Sequence, residues 1–262
     1  MRNLEIRNEL LKEVLLNELL KNVNKIDRNL IYSNEEFVKY LNDFELYNYL
    51  NSFLLDILKN SSNFDVENFE EFNNFIDYFI KNDLLPVLYT IYNVCKIVIR
   101  INEDFNTFVR KFLDNYCDKI RNYFLNYVKS KYVENVKNIC LSTFKDVFER
   151  FKFEIMRIYN IEYEKLKEFE NWFFNNILQI VERILECSIY NYTQLCRKLH
   201  LFRSKLVENN YYKGVQFFKN IFAVYLFEKY KIKIKELKDH YKIINGYGAF
   251  YRWKKKLRDI IK

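Results

Sequence analysis

Residues 131–158 read KYVENVKNICLSTFKDVFERFKFEIMRI. Apolar side chains recur three and four apart along this stretch, the period of a helix with one buried stripe, and neither glycine nor proline interrupts it. Both residues are absent from all 127 positions between Pro86 and Gly214. That interval predicts a run of helices near 104–129, 131–158, 161–187, 191–208 and 212–230. The fold class is therefore all-α, a multi-helix array or bundle.

Toward the N-terminus the same period continues. Leu4, Leu11, Leu15 and Val23, with Leu16, Leu19 and Leu20 between them, predict a helix over about 2–25. Ser33-Asn-Glu-Glu36 has capping-box spacing and starts a second helix at Ser33. Phe37, Leu41, Phe44, Leu50 and Leu54 carry it on, with a break between Asp43 and Asn48. Ser61-Ser-Asn63 reads as a loop and Asp65 as an N-cap, before an apolar stripe of Phe69, Phe72, Phe75, Ile76, Phe79 and Ile80. Asp83 is placed to cap a helix whose first turn contains Pro86, where a missing N–H costs little. Cys95–Ile101 is rich in β-branched residues and is the segment with strand character.

Composition bounds the rest. With 50% hydrophobic and 19% aromatic residues in 262, the chain has the apolar surface to offset its conformational entropy, so it folds. Three glycines, one proline and two alanines (Ala223 and Ala249), beside abundant Asn, Lys, Ile, Tyr and Phe, are the skew of an AT-rich genome. Aromatic richness of that origin is no functional signal. The five cysteines (95, 117, 140, 187, 196) lack the close pairs that metal sites use and read as reduced, buried thiols. The N-terminal twenty residues carry charges throughout, unlike a signal peptide. The apolar stretch Leu84–Ile99 contains Pro86, Asn93 and Lys96 and falls short of a membrane span. The expectation is a soluble intracellular protein, cytoplasmic or nucleoid/nuclear, without a membrane partner.

Charge is segregated. Lys229–Lys262 holds twelve Lys/Arg against Glu236, Asp239 and Asp259, a local +9 in a chain of +8, so residues 1–228 sum to −1. This divides the chain into a helical body, 1–228, and a basic tail, 229–262, with Asn209-Asn210 as a soft point within the body. An excess confined to one end is a device for meeting an anion. Within the tail, Ile234, Leu237 and Tyr241 share one face of a short helix over 233–241. Asn245-Gly-Tyr-Gly248 forms a turn, and Phe250, Trp253, Leu257 and Ile260/Ile261 share one face of a second helix over 249–261. Lys229–Lys235 alternates strictly and reads as a short strand or a lysine-ringed helix.

Glu236, Leu237, Tyr241 and the string Tyr251-Arg-Trp-Lys-Lys-Lys-Leu257 resemble the helix-turn-helix of transposases and related phage or mobile-element proteins, over about 30 residues. Gly248-Ala249 stands where Ser or Thr begins the recognition helix of that class. The resemblance implies a second helix in a major groove, with Tyr251 and Arg252 near base edges. Lys254, Lys255, Lys256 and Arg258 would then contact phosphates, and Lys238 and Lys242 complete the candidate set. The expected partner is DNA, or RNA, with protein contacts or self-association through the body. The alternative is an all-helical scaffold or assembly subunit whose basic tail docks on an acidic protein or an RNA particle.

No Gly-rich phosphate loop, GxSxG, HExxH or Walker-type string occurs, so neither an enzyme nor a cofactor is expected. Cys196 and His200 are four apart but are half a zinc site at best, and no metal is expected. Arg197–His200 lacks the longer Arg-to-His spacing of helical ribonucleases that resemble the HEPN class. Glu162, Glu164, Glu168 and Glu170 alternate with Lys165 and Lys167 as an exposed helix face does, and Glu67/Glu70/Glu71 offers no more. Trp172-Phe-Phe174 and Phe217-Phe218 sit at helical spacing and read as core.

Overall fold

The computed structural model describes residues 2–61, 72–158, 161–207, 212–239, 241–244 and 246–261. They are all-α, with no strand among the described residues. The chain forms two compact units, Met1–Lys131 and Tyr132–Lys262. The step in charge at 228/229 is thus not the step in packing, and the basic tail lies inside the second unit.

The first unit contains α1 (Arg2–Lys21), α2 (Arg28–Tyr32), α3 (Glu35–Leu41), α4 (Phe44–Lys59), α5 (Asn73–Phe79), α6 (Leu85–Val98) and the start of α7 (Phe105–Ile158). The helices α2, α3 and α4 each begin at an acceptor side chain. Asp27 Oδ1 accepts from Leu30 N–H, Asn34 Oδ1 from Glu36 and Phe37, and Asp43 Oδ1 from Leu46. The α3 cap is therefore Asn34, one residue past the expected Ser33, which closes α2 instead. Asp43 also accepts from Asn106 at 2.9 Å, pinning the start of α7 beside that of α4. Asp65 and Phe69 lie outside the described residues.

Asp83 does not cap a helix. The backbone runs from α5 through one π-helical stretch, Ile80–Leu84, straight into α6, and the Leu85 N–H donates five residues back to Ile80. Proline within a helix collides with the carbonyl four residues before it, and the widened turn just ahead of Pro86 relieves that collision without ending the helix. The β-branched end of α6 is helical to Val98, which closes the question of a strand at 95–101. In α7, predicted as two helices, the non-helical point is Tyr116 (φ −120°, ψ 20°) rather than residue 130. The Tyr116 hydroxyl reaches α1 at the Glu9 carbonyl and carboxylate, both at 2.9 Å.

The second unit is built around phenylalanine. Phe144, Phe148 and Phe151 of α7 meet Phe169 and Phe173 of α8 (Tyr163–Asn175) and Phe218 and Phe222 of α11 (Tyr212–Tyr230). All seven rings are fully buried, as expected for Phe173 and Phe218, and the neighbouring ring of Phe217 is buried with them. A single helix predicted over 161–187 is two, because Asn176 (φ −106°, ψ 14°) separates α8 from α9 (Ile177–Leu185). The α9 end closes on Glu186 in a left-handed conformation (φ 52°), and Lys198 of α10 (Tyr192–Val207) donates to the Leu185 and Glu186 carbonyls at 2.8 and 3.0 Å. Cys95, Cys140 and Cys187 are buried, and burial pushes the Cys95 and Cys140 thiols up to about 11 and about 12. Asn209-Asn210 lies outside the described residues.

Candidate nucleic-acid interface

The basic segment starts where α11 ends. Lys231 takes a left-handed φ of 58° and its ammonium donates to the Glu228 carbonyl at 2.6 Å, so the lysine-alternating stretch is no strand: its ends belong to α11 and to the next helix, and residues 231–233 link the two. α12 (Ile234–Asp239) is a single short helix with Leu237 buried. It ends as Tyr241 N–H donates to Glu236 O and Ile243 N–H to Leu237 O, both at 3.0 Å, around Lys242 at φ 49°. α13 runs Tyr247–Leu257, starting two residues earlier and stopping four earlier than the sequence predicts.

α13 has two faces. Phe250, Leu257 and, just beyond it, Ile261 are buried, and Trp253 is half-buried. Phe250 meets Phe227 at 5.4 Å and Trp253 meets Phe217 at 5.3 Å, both edge to face, which seats α13 on α11. Tyr251, Arg252, Lys255 and Arg258 project on the opposite face and are exposed, Tyr251 at 54%. The recurrence that buries one stripe also presents the other.

Not every tail cation is free. Lys256 Nζ lies 2.6 Å from Glu186 Oε1, and that ammonium is the first reason the Glu186 carboxyl sits below its ordinary range. Lys254 is turned inward, its ammonium 4.0 Å above the Phe227 ring and 3.4 Å from Glu228 Oε1. That separation is an ion pair without hydrogen-bond alignment, since Glu228 Oε1 has no hydrogen-bond partner. Lys229 pairs with Glu168 at 2.9 Å, and the Glu168 carboxyl is held low by the Tyr230 hydroxyl first and Lys229 second. Arg258 Nε is 3.8 Å from its neighbour Asp259. Lys233, Lys235, Lys238, Lys242, Arg252 and Lys255 are exposed and make no ion pair among the described residues. Lys238 stands 5.1 Å above the Tyr247 ring, joining α12 to the first turn of α13.

Of the eight candidate residues, the structure leaves Tyr251, Arg252, Lys255, Arg258, Lys238 and Lys242 facing outward and engages Lys254 and Lys256 with carboxylates of α11 and the α9 cap. It adds one that sequence reasoning missed. Arg183 of α9 lines a groove of about 480 Å³ together with Glu182, Glu186, Arg252, Lys255 and Lys256. A lone arginine 46 residues before the basic tail carries no signal in the sequence. Elsewhere, Cys196 is half-buried and His200 exposed, and no group of three His, Cys, Asp or Glu poised for a metal occurs among the described residues. Glu162, Glu164 and Glu168 are exposed, as expected, and His240, Glu67, Glu70 and Glu71 lie outside the described residues. No helix among the described residues is long and apolar enough to cross a membrane. Comparison of the chain with family models, with curated proteins and with solved structures finds no match.

Proposed function

We propose that this protein binds nucleic acid, double-stranded DNA first, through the exposed face of α13 and the lysines around α12. One observation carries the reading: α13 anchors itself by Phe250, Trp253 and Leu257 while Arg252 and Lys255 stand exposed on the other side with no ion pair among the described residues. A helix fixed on its apolar side and cationic on its outer side suits a phosphate backbone. Tyr251 and Arg252, midway along the helix, are the candidates for base edges. Lys238, Lys242, Lys255 and Arg258 supply phosphate contacts, whereas Lys254 and Lys256 serve first to hold the module in place. The reading is of a binding protein, not an enzyme.

The test is retention of a duplex as salt is varied. Neutralising about five phosphates gives a log–log slope of about −4.5. Absence of binding at low ionic strength would sink the reading.

A second reading has its own observation. Ile6, Leu10 and Val14 are exposed at i, i+4 and i+8 along α1, an apolar stripe suited to a protein partner. The scaffold reading then makes this face the contact and the basic tail a dock for an acidic protein or an RNA particle. Leu10→Glu would abolish partner capture or self-association in that case and leave duplex binding unchanged.

A further inference from the structure

The groove between α9 and α13 has a chemistry that the outward face of α13 does not. Its lining holds four cations, Arg183, Arg252, Lys255 and Lys256, and two carboxylates, Glu182 and Glu186. Both carboxylates are engaged: Glu182 Oε1 accepts the Ile189 N–H at 3.0 Å, and Glu186 accepts from Lys256 at 2.6 Å. Arg183, Arg252 and Lys255 make no ion pair among the described residues. Three free cations in one concavity repel one another, and an anion of matching size relieves that repulsion.

The end of α9 would ordinarily oppose an anion, because a helix C-terminus presents unpaired carbonyls. Here Lys198 donates to the carbonyls of Leu185 and Glu186, so that end is covered by an ammonium group. The groove also already holds an oxyanion of the chain's own. Glu186, in a left-handed backbone conformation that few non-glycine residues adopt, directs its carboxylate onto Lys256. A carboxylate at that ammonium stands in for a ligand oxygen.

We propose that this groove is a phosphate subsite, in which Arg183, Arg252 and Lys255 enclose one phosphate and Lys256 joins them when it exchanges Glu186 for a phosphate oxygen. Its volume of about 480 Å³ accommodates a phosphate with part of the sugar or the second phosphate attached to it. The assignment rests on the nucleic-acid reading and sharpens it. It makes the site a corner that takes one backbone phosphate deeply, beside a flat face that takes others loosely. Arginine suits the role because its planar fork grips two phosphate oxygens at once. No covalent step is involved.

The experiment uses the full chain, with inorganic pyrophosphate and a fluorescein-labelled DNA duplex as separate probes. Pyrophosphate should raise the melting temperature of the wild type in a concentration-dependent way, and Arg183→Ala should remove that rise. With the duplex, Arg183→Ala should weaken binding about 5- to 10-fold and flatten the salt slope by about one, and Glu186→Gln should tighten binding about 3-fold by freeing Lys256. Arg183 is exposed, so its variant should melt as the wild type does without ligand. Absence of a pyrophosphate shift in the wild type overturns the subsite, as does an Arg183→Ala protein that binds pyrophosphate and duplex as the wild type does. Failure of the wild type to bind duplex, with the pyrophosphate shift intact, overturns the nucleic-acid reading instead and leaves a groove for a free polyphosphate.

Discussion

The indole N–H of Trp172 in α8 donates to the carbonyl of Ile260 at 3.2 Å. The far end of the basic segment is thereby fastened to the core of its own unit, close to where Trp172 meets Phe169 and Tyr225. Charge segregation along the sequence did not produce a detached arm.

Removing residues 229–262 should therefore unfold the second unit instead of merely silencing a tail. Phe250, Leu257 and Ile261 are buried and Trp253 half-buried, and each fully buried apolar side chain lost from the packing forfeits about 1.5–3 kcal/mol and uncovers its neighbours. Urea denaturation followed by near-ultraviolet dichroism should show loss of the aromatic signal well below the midpoint of the intact chain. An unchanged midpoint would mean that these contacts do not bear on stability.

Arg252→Ala and Lys254→Ala should separate binding from folding, although the residues are two apart. Arg252 is exposed, so its loss should lower duplex affinity several-fold and leave the melting temperature within a degree or two. Lys254 covers Phe227 and faces Glu228, so its loss should cost about 1 kcal/mol of stability. Affinity and thermal melting, measured on both variants, decide it; equal effects on both quantities would contradict the assignment of faces.

Phe148→Ala should be among the most damaging single changes in the second unit. Its ring is fully buried and lies 5.1–6.2 Å from those of Phe151, Phe169, Phe173, Phe174 and Phe218. The loss should be about 3–5 kcal/mol by denaturant titration, the range for deleting a buried phenylalanine ring.

Asp83 gives the first unit a pH dependence of definite sign. The side chain is buried in the π-helical turn, burial pushes its carboxyl up, and Arg28, 3.5 Å away, together with Lys131 pulls the other way without cancelling it. A carboxyl raised above its unfolded value binds its proton more readily in the native state. Its contribution to stability is full below the unfolded carboxyl range and is lost as pH rises through the folded value. Asp83→Asn should flatten stability across that window, with little penalty at neutral pH. Arg28→Ala should destabilise by about 1 kcal/mol above the window and less below it, because it strands a buried carboxylate only when that group is charged. Chemical denaturation at several pH values measures both.

The sequence conveyed its helices more fully than their breaks. With one proline and three glycines to punctuate 262 residues, it left chain reversals to asparagine and aspartate, whose preferences are weaker. Asp43 and Asp104 mark their helix starts by accepting backbone N–H groups, and Asp43 fell within the expected break. Asn176 ended α8 with only the pair Asn175-Asn176 as a signal, in a segment whose apolar period otherwise runs on. Pro86 was legible as a helix perturbation but not as a π turn, since the choice between a break and a bulge depends on whether α5 and α6 can both bury their stripes in line. In the tail, Phe250 and Leu257 were legible as the buried face, and Tyr251, Arg252, Lys255 and Arg258 as the outer one. The fates of Lys254 and Lys256 were not, because Glu228 and Glu186, the carboxylates that engage them, are brought near only by the packing of α13 on α11 and α9.

Lys231 and Lys242, one on each side of α12, both occupy left-handed backbone conformations, where a Cβ atom is a steric burden. Glycine at Lys242 would relax the backbone while deleting an exposed cation, whereas glycine at Lys231 would also remove the ammonium that holds the Glu228 carbonyl at the end of α11. Of the two positions, only Lys242 lets charge be lowered without loosening a helix end.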